Sequence, residues 1–160
     1  MAEGELARAI EYLRTKYGQR ETNGFDRLDF LSAFGSPVDA IMYLGLFWPE
    51  CVCYKDMVFR ADALEDDEDR ADVDEALERL GGNKTEVEKR FSILDMPCGV
   101  FSRDLGENDD ALDQYLVGQI AQMWNFRLHS LFPDREFAVE IVKPEDNNQE
   151  YGVWFYTVRR

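Results

Sequence analysis

The chain has 160 residues, 45% of them hydrophobic, and carries 33 acidic against 18 basic side chains for a formal net charge of −15. A chain of this length buries about 70% of its unfolded surface, so its 11 Phe, 7 Tyr and 3 Trp suffice for a core without disulfides or metal. The charge repels nucleic-acid phosphates and anionic membranes, which excludes both as partners and favours a basic protein.

Residues 1–17 contain Glu3, Glu5 and Glu11 and lack the apolar stretch of a secretory leader. The longest apolar run, Ala40 to Trp48, is too short for a bilayer, and three cysteines leave at least one unpaired. These features predict a cytoplasmic protein, read as a single domain over residues 1–160.

Leu6, Ile10, Leu13 and Tyr17 recur at helical spacing and predict an amphipathic first helix, with Gly18 as its stop. Asn23-Gly24 marks a turn, and Phe25, Leu28, Leu31 and Phe34 predict a short helix behind it. Ser36-Pro37-Val38-Asp39 is a helix start: Ser36 caps, Pro37 suits the first position and Asp39 favours the positive end. Val38, Ile41, Met42, Leu44, Phe47 and Trp48 leave that helix almost no polar face, which predicts an interior position before Pro49 ends it.

Cys51 to Arg60 reads as a strand or tight hairpin. The acidic stretch Asp62 to Leu80 carries a helical stripe only in its second half, at Val73, Leu77 and Leu80, so Glu65 to Arg70 reads as loop or a solvated helix turn. After Gly81-Gly82, Asn83 and Glu86 have capping-box spacing for a helix that buries Val87, Phe91 and Leu94 and closes at Pro97. The longest helix should run from Asp110 to Ser130 with a ridge of Leu112, Leu116, Ile120 and Met123. Two β-rich runs, Glu136 to Val142 and Tyr151 to Val158, form a C-terminal hairpin; the second is apolar on both faces and should be the central strand. The fold class is therefore α+β, five or six helices packed on a small antiparallel sheet of about three strands, with Cys51–Arg60 supplying the third.

The charge is concentrated. Ten acids against two arginines give Asp62–Leu80 a net −8, and five acids give Asp104–Asp113 −5. Such a concentration exceeds what uniform solubility requires and suits a face that docks onto a basic partner. The candidate partner-binding residues are Glu65, Asp66, Asp67, Glu68, Asp69, Asp72, Asp74, Glu75, Asp109 and Asp110.

Other chemistries find less support. Aligning an EF-hand loop on Asp67 and Asp69 puts Asp72 where the turn needs Gly. Cys51, Cys53, Cys98 and His129 offer a zinc donor set, but Cys-x-Cys is not the paired spacing of structural sites, so no metal or cofactor is expected. The single histidine and the lack of a nucleophile elbow, Walker loop or His-Glu-x-x-His motif argue against the common catalytic types. The sequence thus favours a non-catalytic acidic binding protein, in its most concrete form an immunity or inhibitor protein that docks onto a basic partner such as a toxin. The alternatives are a small-molecule-binding domain or enzyme with carboxylates in a pocket between sheet and long helix, and a homo-oligomer that covers its own apolar surface.

Overall fold

The computed structural model describes residues 2–96, 110–144 and 151–159. They fall into two compact units, Met1–Leu44 and Gly45–Arg160. Among the described residues the architecture is α+β, with six helices and two small antiparallel sheets ending in the C-terminal hairpin.

The first unit begins with α1 (Ala2–Tyr17) and α2 (Arg27–Phe34). Gly18 ends α1 at φ +97, a left-handed conformation that side chains resist. Asp26 caps α2 by accepting from the Leu28 and Asp29 N–H groups at 2.7 and 3.0 Å, and Asp29 returns the bond to the Asp26 N–H. Phe30 is the buried residue of α2, edge-on to Phe25, while Tyr17 and Phe34 stack with ring centres 3.9 Å apart.

Helix α3 (Pro37–Phe47) starts as its sequence requires, with Ser36 Oγ accepting from the Val38 N–H at 3.2 Å. Its expected interior position is corrected: none of its residues is buried, and Val38, Ile41 and Met42 are 67%, 66% and 72% exposed. Apolarity on every side states that a helix needs cover, not that its own chain supplies it. Among the described residues no single helix is long and apolar enough to cross a membrane; α2 and α3 reach that length and composition only together, bent by 117°.

In the second unit, β1 (Cys51–Tyr54) and β2 (Met57–Arg60) form a hairpin whose two loop residues, Lys55 and Asp56, both have positive φ (48 and 65), the turn that matches strand twist. This hairpin is a sheet of its own and not the third strand of the main sheet. That place is taken by β3 (Leu94–Met96), because α5 (Lys84–Ser92) stops two residues before Leu94. The main sheet has the order β3-β5-β4, with β4 (Phe137–Val142) and β5 (Tyr151–Thr157), so β5 is central as its two apolar faces demand.

Helix α6 (Asp110–Leu131) lies on one face of this sheet through Val117, Ile120, Trp124 and Leu128, each essentially fully buried. These pack with Val58, Leu94, Phe137, Val153 and Phe155, and Trp124 meets Phe155 edge-on at 5.7 Å. The expected ridge is off by a position: Ile120 belongs to it, but Met123 is 40% exposed. With apolar residues on most sides of α6, periodicity alone selects no unique buried stripe. A second cluster joins Met57, Phe59 and Leu64 to Val73 and Ala76 of α4 (Asp67–Arg79) and Val87 of α5.

Helix α5 also completes the β5 ladder with side chains. Ser92 Oγ accepts from the Phe155 N–H at 3.0 Å and donates to the Phe155 carbonyl at 2.8 Å. One turn earlier, fully buried Glu88 accepts from the Thr157 N–H, the Thr157 hydroxyl and the Val58 N–H at 3.0, 2.8 and 2.8 Å, and from Arg159 at 2.6 Å. A buried carboxylate is tolerable only when satisfied in this way, and here it ties β2, β5 and α5 together.

Candidate functional site

Of the two readings of Glu65 to Arg70 the structure has the solvated helix turn: α4 begins at Asp67 because Asp66 accepts from the Glu68 and Asp69 N–H groups at 2.8 and 3.0 Å. Asp69 reciprocates to the Asp66 N–H and also accepts from the Glu65 N–H at 2.7 Å. An Asp–Asp capping box stands where the Ser/Thr–Glu form is usual, and a run of acids disguises it. Carboxylates in the first turn further suit the positive end of the helix.

The structure sorts the candidate residues by what their carboxylates already do. Asp66 and Asp69 are occupied as caps. Asp67 pairs with Arg70 at 2.8 Å, and Glu75 meets Arg79 loosely at 3.9 Å. Half-buried Asp74 binds Lys55 Nζ at 2.6 Å and accepts from the Tyr54 hydroxyl at 3.2 Å. The Lys55 bond, then the Tyr54 hydroxyl, hold the Asp74 pKa below its ordinary value, and the Asp74 bond raises that of Lys55.

Glu65, Glu68 and Asp72 remain exposed and pair with no cation among the described residues, as does Glu78. Glu68, Asp72 and Glu75 recur at spacings of four and three, so they share one stripe of α4, away from buried Val73 and Ala76. Asp110 is the first residue of α6, and Asp109 lies outside the described residues, as does Cys98.

The outer face of the main sheet holds a second constellation. Register places Glu140 opposite Trp154 and Ala138 opposite Tyr156. Glu140 accepts from Trp154 Nε1 at 2.9 Å and from the Tyr156 hydroxyl at 2.7 Å. Lys89 Nζ sits 4.7 Å from the Tyr156 ring centre and 5.3 Å from that of Trp154. The Trp154 bond and then the Tyr156 bond lower the Glu140 pKa, and the same carboxylate raises that of Tyr156. The sequence pattern placed Trp154 and Tyr156 only in a central strand apolar on both faces and gave Glu140 no role. The available signal was an acid at an outward position of a strand whose hairpin partner carries Trp.

The turn residue Asp56 gathers cations from three directions. Lys84 and Arg135 reach its carboxylate at 3.4 and 3.1 Å, and Arg135 and Arg159 donate to its carbonyl at 3.3 and 3.1 Å. The Lys84 bond is the main cause of its lowered pKa. These cations are spent on locking the hairpin turn to α5 and the chain's C-terminal segment.

Between α6 and the sheet lies an apolar core, from Val117 to Leu128 on the helix and Phe137 to Phe155 on the strands. Cys51 is half-buried, and desolvation pushes its thiol up to about 11, while Cys53 is exposed. His129, in the last turn of α6, is exposed with Nδ1 2.8 Å from the Asn125 carbonyl. Among the described residues no three His, Cys, Asp or Glu side chains converge as a metal requires. No protein-family model, curated protein or solved structure matches the chain.

Proposed function

We propose that the chain is a non-catalytic acidic binding protein that docks onto a basic protein partner through the solvent face of α4. The observation that carries this reading is the division of labour within that helix. The capping acids are consumed by the fold, whereas Glu68, Asp72 and Glu78 are held on a helix and pair with no cation among the described residues. Exposed carboxylates in fixed positions speed encounter with a positive surface and set its orientation. An inhibitor of a toxin that binds phosphate fits this description, its carboxylates standing where phosphates would.

Affinity capture from native cells at low salt, with the wild-type chain and an E68Q/D72N/E75Q/E78Q variant in parallel, tests the reading. A basic protein retained by the wild type, released by about 0.5 M salt and lost from the variant supports it. Retention that ignores both salt and the substitutions contradicts it.

A further inference from the structure

The apolar surface of the first unit is independent of α4 and poses a separate question. Helices α1 and α2 enclose an open groove of about 220 Å³ whose walls include Leu6, Ala9, Ile10, Leu13, Phe30 and Leu31. That volume lies below the roughly 300–1,000 Å³ of small-molecule pockets and suits the side chains of a docking helix. The same unit carries an exposed apolar helix segment, with Val38, Ile41, Met42 and Leu44 of α3 each 61–72% exposed.

We propose that α3 of one copy lies in the α1–α2 groove of a second copy, and reciprocally, forming a two-fold dimer through residues 1–44. One unit therefore presents both the groove and the helix that such a groove accepts. In a two-fold interface each copy uses both at once, which leaves neither unsatisfied.

Area supports a second copy as the occupant. Ten large apolar side chains from Leu6 to Leu44 stand 38–72% exposed. Together they leave on the order of 1,000 Å² bare, against roughly 800 Å² per partner in a stable interface. Charge supports it too. Seven acids and five bases give residues 1–44 a net −2, so the remaining residues carry −13 of the total −15. Two strongly acidic chains repel one another, and this unit is where they can meet at little electrostatic cost. The near neutrality also fits a like partner better than a basic one.

Sedimentation equilibrium of the full chain between about 1 and 100 μM tests the proposal. The expected result is a dimer that Ile41→Glu on the helix and Leu6→Glu on the groove rim each weaken at least tenfold. Both sites are solvent-exposed, so helical circular dichroism should be unchanged in either variant. An equimolar mixture of the two variants should recover a heterodimer, because one intact helix then faces one intact groove. A monomer at every concentration, including one that instead binds neutral lipid vesicles, overturns the proposal. So does a dimer that Leu6→Glu leaves intact, since α3 would then pack elsewhere.

Discussion

Replacing Glu88 with Ala should be the most damaging polar substitution in the second unit. The side chain is fully buried and accepts four hydrogen bonds, three of them from neutral donors on β2 and β5. Leaving a buried donor unmet costs about 1–3 kcal/mol, and both Val58 and Thr157 are too enclosed for water to substitute freely. The fourth donor, Arg159, is 26% exposed at its side chain and can rehydrate, so its loss adds little. Taken at the low end of that range, the three donors come to about 3–4 kcal/mol, at the scale of breaking a buried ion pair by removing one partner. In urea, with a slope of about 2 kcal/mol/M, the midpoint should fall by about 1.5–2 M. Tryptophan fluorescence is a suitable readout, since Trp48, Trp124 and Trp154 all belong to Gly45–Arg160. Arg159→Ala leaves the Glu88 charge buried without its cation and should also destabilise, but less than Glu88→Ala, because the three neutral donors still satisfy the carboxylate. A Glu88→Ala shift below about 0.5 M, or an Arg159→Ala effect of equal size, would refute the reasoning.

Ser92→Ala leaves the Phe155 N–H and carbonyl without their ladder partner and should lower stability by about 1–2 kcal/mol, seen as faster hydrogen exchange at Phe155. Asp66→Ala removes the α4 cap and should cost about 1 kcal/mol, whereas Asp72→Asn should stay within about 0.5 kcal/mol; equal effects would dissolve the distinction between capping and free acids. The lowered Glu140 pKa means that its bonds to Trp154 and Tyr156 stabilise the fold above the ordinary carboxyl value and are lost as pH falls through the folded pKa. Glu140→Gln should therefore destabilise at neutral pH and much less in acid, measured by urea unfolding at both. Tyr156 has the opposite sign: its contribution is present below the ordinary tyrosine value and lost as pH rises through its raised folded pKa. Ultraviolet titration should show Tyr156 ionising late, and Glu140→Gln should remove that delay.

The parts of the fold legible in sequence were those set by local pattern. Pro37 and Ser36 located the start of α3, Asn83 capped α5 by accepting from the Glu86 N–H, and the two-sided apolarity of Tyr151 to Val158 made it the central strand. What was not legible depended on partners distant in sequence. Leu94 continues a helical spacing from Val87 and Phe91, yet it pairs with Val153, because Ser92 turns its hydroxyl to the backbone of β5 and the helix ends. The Glu88 network involves residues 30 to 71 positions away, and nothing in Lys84 to Ser92 marks that acid from its exposed neighbour Glu86. The Asp66–Asp69 cap was hidden for the opposite reason: among consecutive acids, composition cannot say which two face the helix end. Charge clustering located the candidate face, and only geometry separated its structural acids from its free ones.

The salt dependence of binding to the captured partner tests the central claim most directly. Titration calorimetry at about 50 and 500 mM salt should show affinity falling at least tenfold for the wild type and little further for the E68Q/D72N/E75Q/E78Q variant, already weak at low salt. Equal affinity at both salts, or a variant that binds as tightly as the wild type, would contradict docking through the α4 carboxylates.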